Sequence, residues 1–161
     1  MKNGLMCLLV ALLGSAAPAK ATEELSRGQL LYLPVYSYIW HGDRVTEGKA
    51  PPKTLVSVLV SIRNTSLKIP IRVISARYYS TDGKLLKEYL SKPTEVAALG
   101  TLELFVERKE MAGGSGANFI IEWEAAAQTN LPVVEAVHVD IKSGGPAFSF
   151  VTLARPIRAD Q

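Results

Sequence analysis

The stretch TLVSVLVSIRNT, Thr54 to Thr65, decides the fold. Val56, Val58, Val60 and Ile62 fall on one side of an extended chain, and Leu55, Ser57, Leu59, Ser61 and Arg63 on the other. That two-residue period is the mark of a strand buried on one face and partly covered on the opposite one. Its β-branched residues favour a strand over a helix, because their stiff side chains suit a pleated surface.

The same period recurs along the chain. Strands are expected over Leu31–Trp40, Leu55–Asn64, Ile69–Tyr79, Leu85–Leu90, Gly100–Arg108, Asn118–Ala125, Val133–Ile141 and Ala147–Leu153. NTS, STDGK, AGGSGA, TNLP and KSGGP separate them as turns, built from residues that reach positive φ or bond their own backbone. No segment sustains a 3.6-residue period, although EVAALG suits a single helical turn. About eight short strands at this spacing predict an all-β, antiparallel, immunoglobulin-like sandwich, with a small β-barrel as the alternative. The TDG turn at Thr81–Gly83 is read as a tight hairpin, and SKPTEVAALG as the longer connection that carries the chain between sheets. Phe119, Ile121 and Trp123 share one face and are expected in the core.

The first residues predict a compartment. Lys2 precedes an apolar run from Leu5 to Ala17, and Ala19-Lys20-Ala21 has the small-x-small pattern of a signal-peptidase site. The run has 13 residues, short of the roughly 20 that span a bilayer, so residues 1–21 read as a secretory signal peptide and 22–161 as a single domain. Cleavage after Ala21 removes Lys2, Lys20 and the sole cysteine, Cys7, leaving 16 basic and 15 acidic residues. A periplasmic or secreted chain without thiols has neither disulfides nor thiolate chemistry, and its near-neutral charge gives no basic patch for nucleic acid. No membrane span is expected after cleavage. A short mobile lead from Thr22 to Gly28 and a frayed tail after Arg155 are expected around the folded unit.

Several of these stretches together carry a resemblance. LYLPVYSYIWHGD, SIRNTS, RYYSTDGKLLKEYL, GGSGANFIIEW, PVVEAVHVDI and SFV, in that order from Leu31 to Val151, resemble the bacterial domain-of-unknown-function family 3124. The resemblance implies a bacterial protein, commonly exported. It brings no assigned activity and therefore no functional residues to carry over.

The loop GGSGAN, Gly113 to Asn118, raises the question of chemistry. Phosphate and dinucleotide loops place glycines before a helix, whose N-terminus binds the anion, whereas this loop has no lysine and feeds a strand. A nucleophile elbow at Ser115 would need a glycine two residues later and a following helix, but Ala117 and a strand follow. The loop is therefore expected to be a corner, with Gly114, Ser115, Gly116 and Asn118 as candidate backbone contacts for a ligand or partner. Glu122 and Glu124, opposite Trp123, read as the solvent side of their strand, and the Asn64-Thr65-Ser66 sequon matters only in a eukaryotic secretory route.

Two further patterns supply candidates. His41-Gly42-Asp43 and His138-Val139-Asp140 are both His-x-Asp, and on a strand such pairs present an imidazole and a carboxylate to one side, as a divalent transition metal requires. The aromatic strand places Tyr32, Tyr36, Tyr38 and Trp40 on one face, and Tyr36, Tyr38 and Trp40 are candidate contacts for a sugar ring or a protein. The expected function is accordingly an exported, non-enzymatic binding module of the cell envelope, its partner a protein or small ligand, with no cofactor. The alternative is a divalent-metal-binding protein using His41, Asp43, His138 and Asp140.

Overall fold

Val56, Val58, Val60 and Ile62 are all wholly buried, as the alternation in their stretch requires. The computed structural model describes residues 24–43, 48–141 and 147–158. The expected signal peptide and the KSGGP turn lie outside the described residues. Twelve strands follow in chain order: β1 (Leu25–Pro34), β2 (Tyr38–Trp40), β3 (Lys53–Leu55), β4 (Ser57–Arg63), β5 (Ile71–Tyr79), β6 (Leu85–Glu88), β7 (Thr94–Val96), β8 (Thr101–Val106), β9 (Asn118–Asn130), β10 (Val133–Asp140), β11 (Phe148–Leu153) and β12 (Arg155–Ile157).

All pairings are antiparallel. One sheet runs β12-β1-β9-β5-β6, with β7 also on β5; a second runs β11-β10-β4-β8; β2 and β3 form a separate hairpin. Neither large sheet closes on itself, so the fold is the antiparallel β-sandwich and not the small barrel. Leu31 and Leu33 of β1, Val73 and Tyr78 of β5, and Phe119, Ile121 and Trp123 of β9 meet Val58, Val60 and Ile62 of β4 and Ala136 of β10 in one core. No helix among the described residues is long and apolar enough to cross a membrane.

The Thr81–Gly83 turn joins β5 to β6, with Gly83 N–H donating to Ser80 O and Ser80 N–H to Lys84 O. SKPTEVAALG leads from the larger sheet to the smaller, but on the way it forms β7, not a helical turn. Val96 is buried there, and pairing with Ile71 satisfies its backbone better than one isolated turn would.

Three boundary expectations are corrected. Within the expected lead from Thr22 to Gly28, of which residues 22 and 23 lie outside the described residues, a strand is present from Leu25, because the long β9 continues to Asn130 and offers that segment a ladder. Of the expected frayed tail after Arg155, the residues Pro156 and Ile157 belong instead to β12, where Arg155, Pro156 and Ile157 pair with Tyr32, Leu31 and Leu30, and residues 159–161 lie outside the described residues. The expected strand from Leu31 to Trp40 breaks between Pro34 and Tyr38, where Val35 N–H donates to Ala117 O and Ser37 N–H to Gly114 O, so the chain leaves the sheet for the glycine loop.

Candidate functional site

The break after β1 gives the aromatic strand two environments. Tyr32 lies under the Arg155 guanidinium at 5.6 Å, and Tyr36 packs edge-on against His138 and Phe150, each at 5.6 Å. These two are half-buried and belong to the sandwich wall. Beyond the break, Tyr38 and Trp40 sit two residues apart on β2 and so share a face, with ring centroids 5.1 Å apart in an edge-to-face arrangement. Register places Lys53 opposite Trp40, and its ammonium lies 4.5 Å from the Tyr38 ring and 5.8 Å from the Trp40 ring. Trp40 is 42% exposed.

The glycine loop adjoins this hairpin. Ser37 N–H donates to Gly114 O at 2.9 Å, and Val56 N–H, between β3 and β4, donates to Ser37 O at 3.1 Å, so the two ends of the hairpin and the loop are tied at one residue. The Tyr38 hydroxyl lies 3.9 Å from where a Cβ on Gly114 would stand. Gly114 has φ +82° and is buried, Ser115 is half-buried, and Gly116 donates its N–H to Thr81 Oγ1 at 2.9 Å. Asn118 opens β9 opposite Pro34 and Tyr79. The structure therefore brings Tyr38, Trp40 and the loop to one end of the sandwich, while Tyr36 packs aside on His138.

Beneath the loop lies a polar cluster that the sequence reading missed. Ser37 and Tyr78 hydroxyls both donate to Glu110 Oε2, at 2.9 and 2.6 Å, and stand 2.8 Å from each other. Glu110 also receives the N–H groups of Ala112 and Gly113. Burial, followed by the hydrogen bond to Glu110, pushes the Tyr78 phenol far above its ordinary value, so it remains a neutral donor. Ser37 and Tyr78 are 1% and 2% exposed, and the cluster's chemistry is to hold the corner: one carboxylate gathers four donors from three segments of chain. A signal for it existed. Ser37 continues the inward parity of Leu31, Leu33 and Val35, and a polar residue at a core position requires a partner.

The two His-x-Asp pairs occupy different environments. His41 and Asp43 are exposed, with His41 Nε2 3.1 Å from Thr54 Oγ1. His138 is wholly buried: Nε2 accepts the Tyr36 N–H at 3.1 Å, and the ring stacks on Phe150 at 4.3 Å and 3°. Burial lowers its pKa to about 4, against a smaller opposing influence from the backbone of Phe150 and Ala136. Asp140, 2% exposed, pairs with Arg108 at 3.0 Å. Among the described residues no three His, Cys, Asp or Glu side chains are grouped to hold a metal ion. Lys87, Tyr89, Phe105, Glu107, Lys109 and Glu110, from β6, β8 and the segments that follow them, line a cleft of about 620 Å³ that periodicity alone gave no means of finding.

A search of curated proteins finds no match. Among solved structures the chain is similar to the one described as "Crystal Structure of Thermotoga maritima 1070", with 14% identity and a TM-score of 0.44, over 82% of this chain and 97% of that one. The family model described as "Protein of unknown function (DUF3124)" matches residues 28–157, and the chain belongs to that family.

Proposed function

We propose that the protein is an exported, non-enzymatic binding module of the bacterial cell envelope, and that it meets its ligand or partner protein through Tyr38, Trp40 and the adjoining glycine corner of Gly114, Ser115 and Gly116. The observation that carries this reading is the exposure of Trp40 beside Tyr38 on a hairpin held to the body by backbone hydrogen bonds. Trp123 shows the other fate of a tryptophan in this chain, at 1% exposed. An indole left in water on a rigid support has apolar area to bury and an N–H to satisfy, which is what a contact residue brings to an interface. Lys53, resting on both rings, adds a cation at the same place and favours a partner carrying an anionic or hydroxyl-rich group. The leader read from residues 1–21 supports the compartment.

The test compares immobilised protein with a Tyr38→Ser, Trp40→Ser variant of unchanged melting temperature. The wild type is expected to retain a component of solubilised envelope that the variant releases. Equal retention by both would refute the aromatic end as the contact surface.

A further inference from the structure

The outer face of the four-stranded sheet carries a wholly apolar row across its middle, between rows that hold Ser57, Ser61, Arg63, Glu103, Glu135 and Ser149, where an antiparallel sheet that faces water is normally polar. Register aligns Val151 of β11 with Val137 of β10, Val137 with Leu59 of β4, and Leu59 with Phe105 of β8. This row crosses the whole sheet, and its ends, Val151 and Phe105, are 52% and 56% exposed. Contiguous exposed apolar surface of this kind marks an interaction site.

We propose that this face is a homodimer interface, covered by the same face of a second copy of the chain. Two features select a second copy. The first is self-complementarity. A two-fold axis parallel to the strands, between β10 and β4, reverses the strand order of the partner above. Val137 then meets the partner's Leu59, and Val151 meets the partner's Phe105, so each large side chain faces a smaller one. The same operation sets Arg63 beside the partner's Glu135. Within one chain these two already pair at 3.0 Å, and the two-fold turns them into an alternating set of two arginines and two carboxylates.

The second feature is area. Four strands at about 4.8 Å spacing, each presenting about 20 Å of length, make a footprint of about 400 Å², and side-chain relief brings the accessible area to roughly 600–800 Å². That is about what each partner contributes to a standard stable interface. A two-fold parallel to the strands keeps the two sheets aligned, as face-to-face sheets commonly pack to within about 30°, and holds the row over its counterpart.

Sedimentation velocity of the purified protein up to about 100 µM tests the proposal. The wild type is expected to pass from monomer to dimer across that range, and Phe105→Glu with Val151→Glu to remain monomeric while melting as the wild type does at concentrations where both are monomeric. Arg63→Glu is expected to weaken the dimer at least tenfold, and Arg63→Glu with Glu135→Arg to restore it. A wild type that stays monomeric, or a dimer that survives the Phe105 and Val151 substitutions, overturns the proposal.

Discussion

A Cβ on Gly113 would overlap the Tyr78 hydroxyl and come within 2.6 Å of the Ser37 hydroxyl, because the loop backbone closes directly onto the buried cluster. Gly113→Ala must therefore displace groups that are themselves hydrogen-bonded to Glu110, and an expected loss of about 2 to 4 kcal/mol follows from overpacking together with broken buried hydrogen bonds. Gly114→Ala meets both a positive φ and Thr81, for an expected cost of about 1 to 2 kcal/mol. Ser115→Ala is expected to stay within about 0.5 kcal/mol of wild type, since the Ser115 hydroxyl makes no hydrogen bond among the described residues. Trp123→Ala should cost about 3 to 5 kcal/mol through the cavity it leaves. Urea unfolding of the four variants checks the order, and a neutral Gly113→Ala would contradict the corner. At this scale the sequence was legible where a glycine's role is local. That GGSGAN is a corner followed from the strand after it, but Gly113 owes its importance to Tyr78 and Ser37, 35 and 76 positions away in the chain, which no local pattern reveals.

Among elements, a link between the two layers at β10 carries a titrating group. His138 of β10 accepts the N–H of Tyr36, just beyond β1, so a neutral imidazole joins the smaller sheet to the segment that leads into the aromatic hairpin. Its pKa falls from 6.5 to about 4 on folding, because burial disfavours the charged ring. The folded state therefore binds fewer protons than the unfolded state between these values. The contribution is complete above about pH 6.5 and is lost progressively as the pH drops towards 4, on the order of 1 to 3 kcal/mol in all. His138→Gln retains an acceptor without titrating, so its melting temperature is expected to fall less than that of the wild type between pH 7 and pH 4. Equal falls in both proteins would show that the buried imidazole is not the group responsible. Periodicity found the long strands because one face of each is core. It missed β7 and β12, three residues each, which exist only because β5 and β1 offer them a ladder. Pairing is a property of two segments, and a single run of three residues carries no period.

In the whole molecule, the core legible in Thr54–Thr65 and in Phe119–Trp123 is the core observed, and the residues left outside it define the surfaces available for contact. The aromatic face anticipated from Tyr32 to Trp40 divided, because the chain leaves the larger sheet after Pro34 and only Tyr38 and Trp40 reach the outer end. The same departure brings them to the glycine loop, an adjacency that depends on Ser37 bonding to Gly114, 77 positions away in the chain. If this end meets a component of the cell envelope, photo-crosslinking in the native cell will capture it. A benzophenone amino acid replaces Trp40 in one strain and Glu122, on the outer face of β9, in another, and irradiated chains are recovered from the envelope fraction. A discrete adduct is expected from position 40, diminished by Tyr38→Ser and absent from position 122. A chain confined to the cytoplasm, or the same adducts from both positions, would contradict it.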